Sequence, residues 1–529
     1  MKSLAECPKP GCGTDRGHLP SLLALFVIVL GAKLVLIRYF GSGVPFFDQW
    51  DAEAAFLYKP YLESTLSFFS LFASHNEHRI FFTRIYSLIL FELNGGWDPL
   101  LQMVANAFLH CVAIVLLMKV MRPLLDQTCF FALAMFSALV FALPIGWENT
   151  LAGFQSQFYL LLITAFLSMI YLVNSRAFSR AWMIGILSGI ASYFCMASGA
   201  LTLAAALAVM AIQLLFGLRR GAREVVGAGL LLAICGLMVV NIHHVVDHDV
   251  LKAHSLREFL GSTLSIMAYP HSRPALAFVS NLPVLVFAGF VLARRPHLNS
   301  SNWSVIGVAV WFGAQAIALS YGRGSGGELS RYLDLVVIGL PLNFFALLLW
   351  CDGRSPYRVI FLFMWLVLVV PPLLTRIMNQ SVPEFVARSG FSAQQIHNVN
   401  EFLKTYDPNA LQGKERLAIP YPSPERLAAL LVDPTIRLAL PEAIRPHDIN
   451  PSELFKRTYF KGHLRPMMQA VKNALLQYAV GLAGLGLALA FASGLFLRGA
   501  SGSGSSLSPG SSVSENRTMR GPLERPVGT

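Results

Sequence analysis

Pro45-Phe-Phe-Asp48-Gln-Trp-Asp51-Ala-Glu53 follows the first long apolar run, residues 20–40. Three carboxylates stand within six residues, beside Phe46, Phe47 and Trp50, in a chain that is only 13% charged. Acids at a bilayer boundary are costly unless they line water, hold a cation or do chemistry. The fold is decided by whether the run before them spans a membrane.

Composition says that it does. The chain is 55% hydrophobic with mean hydropathy +0.57, whereas a soluble domain carries about 25% charge. Apolar runs of about 18–22 residues recur along most of the length, which points to spanning helices. Long Leu, Ala and Val runs exclude the short alternating segments of a transmembrane barrel. The expected class is an all-α polytopic membrane protein with about twelve transmembrane helices, a helical first outer loop and a small outer C-terminal domain. Spans are placed near 20–40, 100–120, 129–144, 158–174, 182–199, 200–217, 224–243, 276–294, 303–320, 333–350, 357–375 and 476–497. Residues 1–19 read as a cytoplasmic tail, 20–376 as the membrane core with its first outer loop at 41–99, 377–475 as an outer region, and 498–529 as a disordered cytoplasmic tail. No signal-peptide cleavage site follows the first run, so it reads as a retained anchor.

Alternate loops carry Lys119/Arg122, Arg176/Arg180, Arg219/Arg220/Arg223, Arg294/Arg295 and Arg354/Arg358. They fall on one side, the cytoplasmic one by the positive-inside rule. This accounts for the net charge of +12 without a nucleic-acid partner. The expected location is a bacterial inner membrane, with both termini cytoplasmic and the polar loops outside. Lys33 and Arg38, toward the outer end of the first span, are expected to snorkel to the interface.

Within the outer loops, residues 52–73 and 80–93 read as helices, as do Pro424–Asp433 and Pro466–Gln477; 436–440 reads as extended. Asp48, Asp51 and Glu53 are candidates for a general base on an acceptor hydroxyl, and Asp48 with Asp51 for a divalent-metal site. The alternative is a solvated loop start whose acids pair with Arg79 or Arg84. Ser74-His75-Asn76-Glu77-His78-Arg79 offers His75 and His78 as ligands and Arg79 as a phosphate contact, or a plain turn between helices. Trp147-Glu148-Asn149 suits sugar stacking and hydroxyl binding, and Trp147 suits an interfacial anchor equally. His243, His244, Asp247, His248 and Asp249 form a polar cluster without diagnostic metal spacing. Gly322-Arg323-Gly-Ser-Gly-Gly-Glu328-Leu-Ser330-Arg331-Tyr332 sets two arginines in a glycine-rich loop, a candidate phosphate clamp. The cysteines show no disulfide framework. No P-loop, dinucleotide fingerprint or nucleophile elbow is present, so energy must come from an activated substrate or a gradient.

A short cytoplasmic N-terminus, one span and an outer loop that opens with acids resemble the integral-membrane glycosyltransferases of the GT-C superfamily, such as the protein O-mannosyltransferases and the lipid A aminoarabinose transferases. Two local matches carry the resemblance: Asp48-Gln-Trp-Asp51-Ala-Glu53 after the first span, and Ser330-Arg331-Tyr332 before a late one. The resemblance implies hexosyl or pentosyl transfer, inverting, from a polyprenyl-phosphate donor to an envelope glycan, lipid or protein on the outer face. It implies an acidic loop that activates the acceptor or binds Mg, Mn or Zn. Arg331 and Arg323 would hold the donor phosphate, with Tyr332, Arg79, His78 and Trp147 as further substrate contacts. The family's adjacent Asp-Glu pair is absent here, since the three acids are spaced. The competing readings are a polysaccharide polymerase or ligase, and a transporter or flippase of lipid-linked glycans, which would place charge near the bilayer midplane.

Overall fold

The computed structural model describes residues 18–324, 330–351 and 356–503. The tail carrying Cys7 and Cys12, the stretch 325–329 with Glu328, Arg354, and the tail from 504 with its Asn516 sequon lie outside the described residues. Among the described residues, ten helices are long and apolar enough to cross a membrane. Two further expected spans are shorter: Gln127–Ala142 with 16 residues and Arg180–Tyr193 with 14. The protein is thus an all-α polytopic membrane protein. Among the described residues, the one pair of strands is the two-residue hairpin Ser74–His75/His78–Arg79.

Helix ends follow local chemistry. Asp98 and Asp126 accept from the backbone N–H of Leu101 and Cys129, and Ser179 from that of Trp182. Each satisfies a donor that the first turn leaves free. Pro99 sits where its missing N–H costs nothing. The Arg180–Tyr193 helix is separated from Ala200–Leu215 by a tight turn at Gly199. A Cβ on Gly199 would lie 1.9 Å from the Ser192 carbonyl oxygen, so only glycine fits. The first helix, Leu19–Phe40, runs against the last, Ala479–Ser503. Gly31 and Gly486 let the two backbones touch: a Cβ there would lie 2.5 Å from Ala483 N and 2.6 Å from Ile28 N. Small residues serve this way where no water drives helices together.

One end of the bundle gathers basic loops. Arg219 is buried, pairs with Glu224 at 2.7 Å and donates to the Val173 carbonyl. Arg295 stacks over Phe216 at 4.5 Å. The opposite end gathers the acidic stretch, the hairpin, the Trp147–Gln157 segment, Arg323, the start of the helix at Ser330–Tyr332 and the chain after Arg376.

That C-terminal segment, read from the sequence as a small outer domain, shares a core with the first loop. The helix from Pro356 continues through a wide turn at Ile377–Ser381 to Thr405. The segment then joins the first loop in one apolar core: Val44, Trp50, Leu57 and Tyr58 pack with Val399, Phe402, Leu427, Leu430 and Ile444. Residues 436–440 are not extended. Pro434–Ala439 is a helix, capped by Asp433 accepting from the N–H of Thr435 and Ile436. The helix expected at 52–73 ends at Leu62, where the chain turns and then forms the short 3-10 piece Phe69–Phe72.

Candidate functional site

The acidic stretch is held from the C-terminal segment. Phe47 N–H donates to the Pro420 carbonyl at 2.9 Å, and Phe47 takes a positive φ of 46°, a conformation costly for a non-glycine residue. The turn points the three acids in different directions. Asp48 is half-buried and, among the described residues, has no hydrogen-bond or ion-pair partner. Asp51 is taken: Arg426 Nε and Nη2 donate to its Oδ1 at 3.1 and 2.9 Å, and Tyr421 OH donates to Oδ2. Glu53 is 1% exposed. Its Oε1 accepts from Ser87 and Gln102, both at 2.6 Å, and its Oε2 from Gln49 at 2.9 Å and Trp97 at 3.2 Å. Burial raises the Glu53 pKa, and these four donors offset part of the rise. Four donors around one buried carboxylate describe a structural hub and leave it no free lone pair facing a substrate.

Asp48 opens into a pocket with Phe46, Trp147, Phe154, Arg331 and Arg388 among its lining residues. Arg331 is fixed by its backbone. Its N–H donates to Glu148 Oε2 at 3.0 Å, and its carbonyl accepts from Asn149 Nδ2 at 2.6 Å. Its Nε is buried without a partner among the described residues. Arg388 lies over the Phe46 ring at 4.3 Å and donates to the Leu151 carbonyl at 2.8 Å. Trp147 is held by donation to Glu384 Oε2 at 3.0 Å. The pocket thus sets one free carboxylate among two guanidinium groups and aromatic faces.

The hairpin touches the surroundings of both spaces: His75 meets the ring of Phe154 edge-on at 5.5 Å, and Glu77 and His78 line a second cavity. Neither of its arginine neighbours pairs with the acids. Arg79 donates to the Phe72 carbonyl, and Arg84 to those of Leu71 and Ala73. The His75 Nε2 is buried and unpartnered. Its field partners include Asp48 and Asp51, yet burial wins and its pKa is lowered. His78 accepts from Ala197 N–H through Nδ1, and burial brings its pKa down to about 4 despite the neighbouring Glu77. Glu77 itself is pulled below its usual range, because His248, hydrogen-bonded to it, and His78 outweigh its burial.

The second cavity has a volume of about 390 Å³. Its walls are apolar, with Met196, Phe312, Leu319 and Val336 among them, and its polar lining includes Glu77, His78, His244, Lys252 and Arg323. Arg323 reaches Glu77 at 3.9 Å. Tyr332 lines this cavity, next in sequence to Arg331 of the first pocket. His244 pairs with Asp249 at 2.9 Å, and no group of three or more His, Cys, Asp or Glu side chains among the described residues is arranged to hold a metal.

So Asp48, Trp147 and Arg331 meet in one pocket, and His78, Arg323 and Tyr332 in its neighbour. Asp51, Glu53 and Arg79 are turned to structural partners. Arg388 and Asp334 have no counterpart in the sequence reading, and Lys33 departs from it. Arg388 carried no signal beyond its being an arginine. Lys33, expected to snorkel, is 6% exposed and donates to Thr150 Oγ1 at 3.1 Å. Its side chain stays in the bundle because a polar turn waits there. Asp334, inside an expected span, is 3% exposed and accepts from Asn149 at 2.8 Å. The available signal was that these are charges inside apolar runs, which are rarely idle. Comparison of the chain with family models, curated proteins and solved structures finds no match.

Proposed function

We propose that the protein is a membrane glycosyltransferase that moves a sugar from a polyprenyl-phosphate donor to an acceptor hydroxyl in the cell envelope, on the outer face of the inner membrane. The observation that carries the reading is the juxtaposition of two spaces. One holds a free carboxylate beside arginines, and the other is an apolar cavity whose polar lining includes Arg323 and Lys252, paired with Glu77 and Asp249. A lipid-linked donor needs both: apolar walls for its chain and positive charge for its phosphate.

In this mechanism Asp48 takes the proton from the acceptor hydroxyl as the oxygen attacks the anomeric carbon. The bond from that carbon to the phosphate oxygen breaks, and its electron pair leaves with the phosphate. Arg331 faces the developing charge, with Arg388 behind it, and both are in place beforehand. A single displacement of this kind inverts the anomeric centre. Trp147 and Phe46 offer faces for a sugar ring. Arg323 and Lys252 supply positive charge to the lining of the lipid cavity, and Asp51 and Glu53 keep the Asp48 turn in shape. A divalent ion bound through Asp48 and Asp51 would require Asp51 to release Arg426 and Tyr421, so the arginines are assigned the cationic role.

The test is transfer of a radiolabelled sugar from polyprenyl phosphate in proteoliposomes. Asp48→Asn should lower it by about 10²–10⁴-fold, the usual weight of a general base, with unchanged membrane yield. Transfer by Asp48→Asn at the wild-type rate would overturn the assignment. A second reading, transport of lipid-linked glycan, is favoured by one observation, the charged groups Lys33 and Asp334 within the bundle. Movement of intact donor across the vesicle membrane without release of free polyprenyl phosphate would select it.

A further inference from the structure

The one helical turn Trp147–Thr150 faces two ways. Trp147 and Glu148 line the Asp48 pocket. Asn149 and Thr150 face into the bundle. Thr150 Oγ1 accepts from Lys33 Nζ at 3.1 Å, and Asn149 Nδ2 donates both to Asp334 Oδ2 at 2.8 Å and to the Arg331 carbonyl at 2.6 Å. Glu148 closes the loop by accepting from Arg331 N–H at 3.0 Å. Both polar groups of the Arg331 peptide backbone are therefore held by this turn, and the turn is held by Lys33 and Asp334.

The lower half is buried. Lys33 is 6% exposed, Asp334 3%, Thr150 3% and Asn149 0%. Lys33 lies seven residues below the end of its helix, roughly 10 Å at the α-helical rise. No direct ion pair joins Lys33 to Asp334 among the described residues; Thr150 and Asn149 of the turn link them. The fit against the turn is tight: a Cβ on Gly146 would lie 2.4 Å from Asp334 Oδ1. His110, with both ring nitrogens buried and unpartnered, stacks on Tyr159 at 4.4 Å, and Lys33 Nζ lies 6.0 Å from the Tyr159 ring centre. Charges in such surroundings persist only as a set, because removing one leaves the other without compensation.

We infer that Lys33 and Asp334 are positioning residues that act through the Trp147–Thr150 turn to aim Arg331 at the donor phosphate. The inference deepens the transferase reading and rests on it for the role of Arg331. It also gives the intramembrane charges a task other than transport. Lys33 and Asp334 touch no substrate in this scheme. They set where the guanidinium stands, so their loss is read in phosphate affinity rather than in chemistry.

The experiment uses the full-length protein in lipid nanodiscs, with binding of a radiolabelled polyprenyl monophosphate and thermal unfolding measured on the same samples. Arg331→Ala should weaken binding at least tenfold. Lys33→Met and Asp334→Asn should each weaken it about fivefold or more. The double variant Lys33→Met/Asp334→Asn leaves no lone charge and keeps an acceptor for Asn149, so it should bind within about twofold of wild type. Arg331→Ala binding as wild type would overturn the phosphate role and this inference with it. A weakened Arg331→Ala beside single variants that bind normally would overturn the inference alone. So would a double variant that regains thermal stability without regaining affinity, since that describes a purely structural pair.

Discussion

At the scale of the residue, the three acids of one short stretch divide by what surrounds them. Asp48 has no partner among the described residues and faces a pocket, Asp51 is bound by Arg426 and Tyr421, and Glu53 is enclosed by four donors. The stretch itself was legible, because acids beside aromatics at the edge of a membrane span are expensive. The division was not. A position five residues on falls on another face of a helix at 3.6 residues per turn, and the wide-turned helix Trp50–Tyr58 changes even that offset. Glu53→Gln sets an amide NH₂ against two donors, so we expect it to lower stability by about 2 kcal/mol, within the range for hydrogen bonds to charged groups. Thermal unfolding of the purified protein measures this; an unchanged midpoint would deny Glu53 its role as hub. His78 supplies a pH dependence. Its folded pKa, about 4, lies below the ordinary 6.5. The folded state thus binds fewer protons between these values, and the stability it contributes is present above pH 6.5 and lost as pH falls through 4. The loss should amount to about 2 kcal/mol, less than the full shift because the residue as a whole is only partly buried and solvent screens it. His78→Gln, which keeps an acceptor for Ala197, should flatten stability between pH 7.5 and 4.5; an equal slope in both proteins would remove His78 as the cause.

At the scale of the element, the informative join is between the first loop and the C-terminal segment. Their helices were largely legible: Phe81–Asn94, Pro424–Val432 and Arg465–Gln477 all form where apolar periodicity and proline punctuation place them. Their common core was not, because a polar, proline-rich stretch gives no sign of what its few leucines pack against. Leu430 is 4% exposed and packs in the same core as Trp50. Leu430→Ala should cost about 2–5 kcal/mol, the usual range for a buried leucine. Hydrogen exchange should then rise in Trp50–Tyr58 as well as in Pro424–Val432. Faster exchange confined to Pro424–Val432 would mean that the two pieces are separate units. This join matters to the site because the same segment holds the backbone of Phe47 and the carboxylate of Asp51.

At the scale of the whole molecule, the spacing of apolar runs and the alternation of basic loops made the architecture readable. Ten helices reach spanning length among the described residues, and the basic loops that can be followed gather at one end, the polar constellation at the other. What a single sequence could not reveal is convergence. Lys33, Thr150 and Asp334 lie on three distant segments, and so do Asp48, Arg331 and Arg388, so no local pattern joins them. We propose that this end of the bundle receives a lipid phosphate. It is tested most directly by a cryo-electron-microscopy map of the full-length protein in nanodiscs with a polyprenyl monophosphate. We expect the phosphate within hydrogen-bonding distance of Arg331, on the Asp48 side of Tyr332, with the prenyl chain along Leu319 and Val336. A phosphate resolved away from both Arg331 and Arg323, or a prenyl chain outside that cavity, would overturn this role for the outer loops.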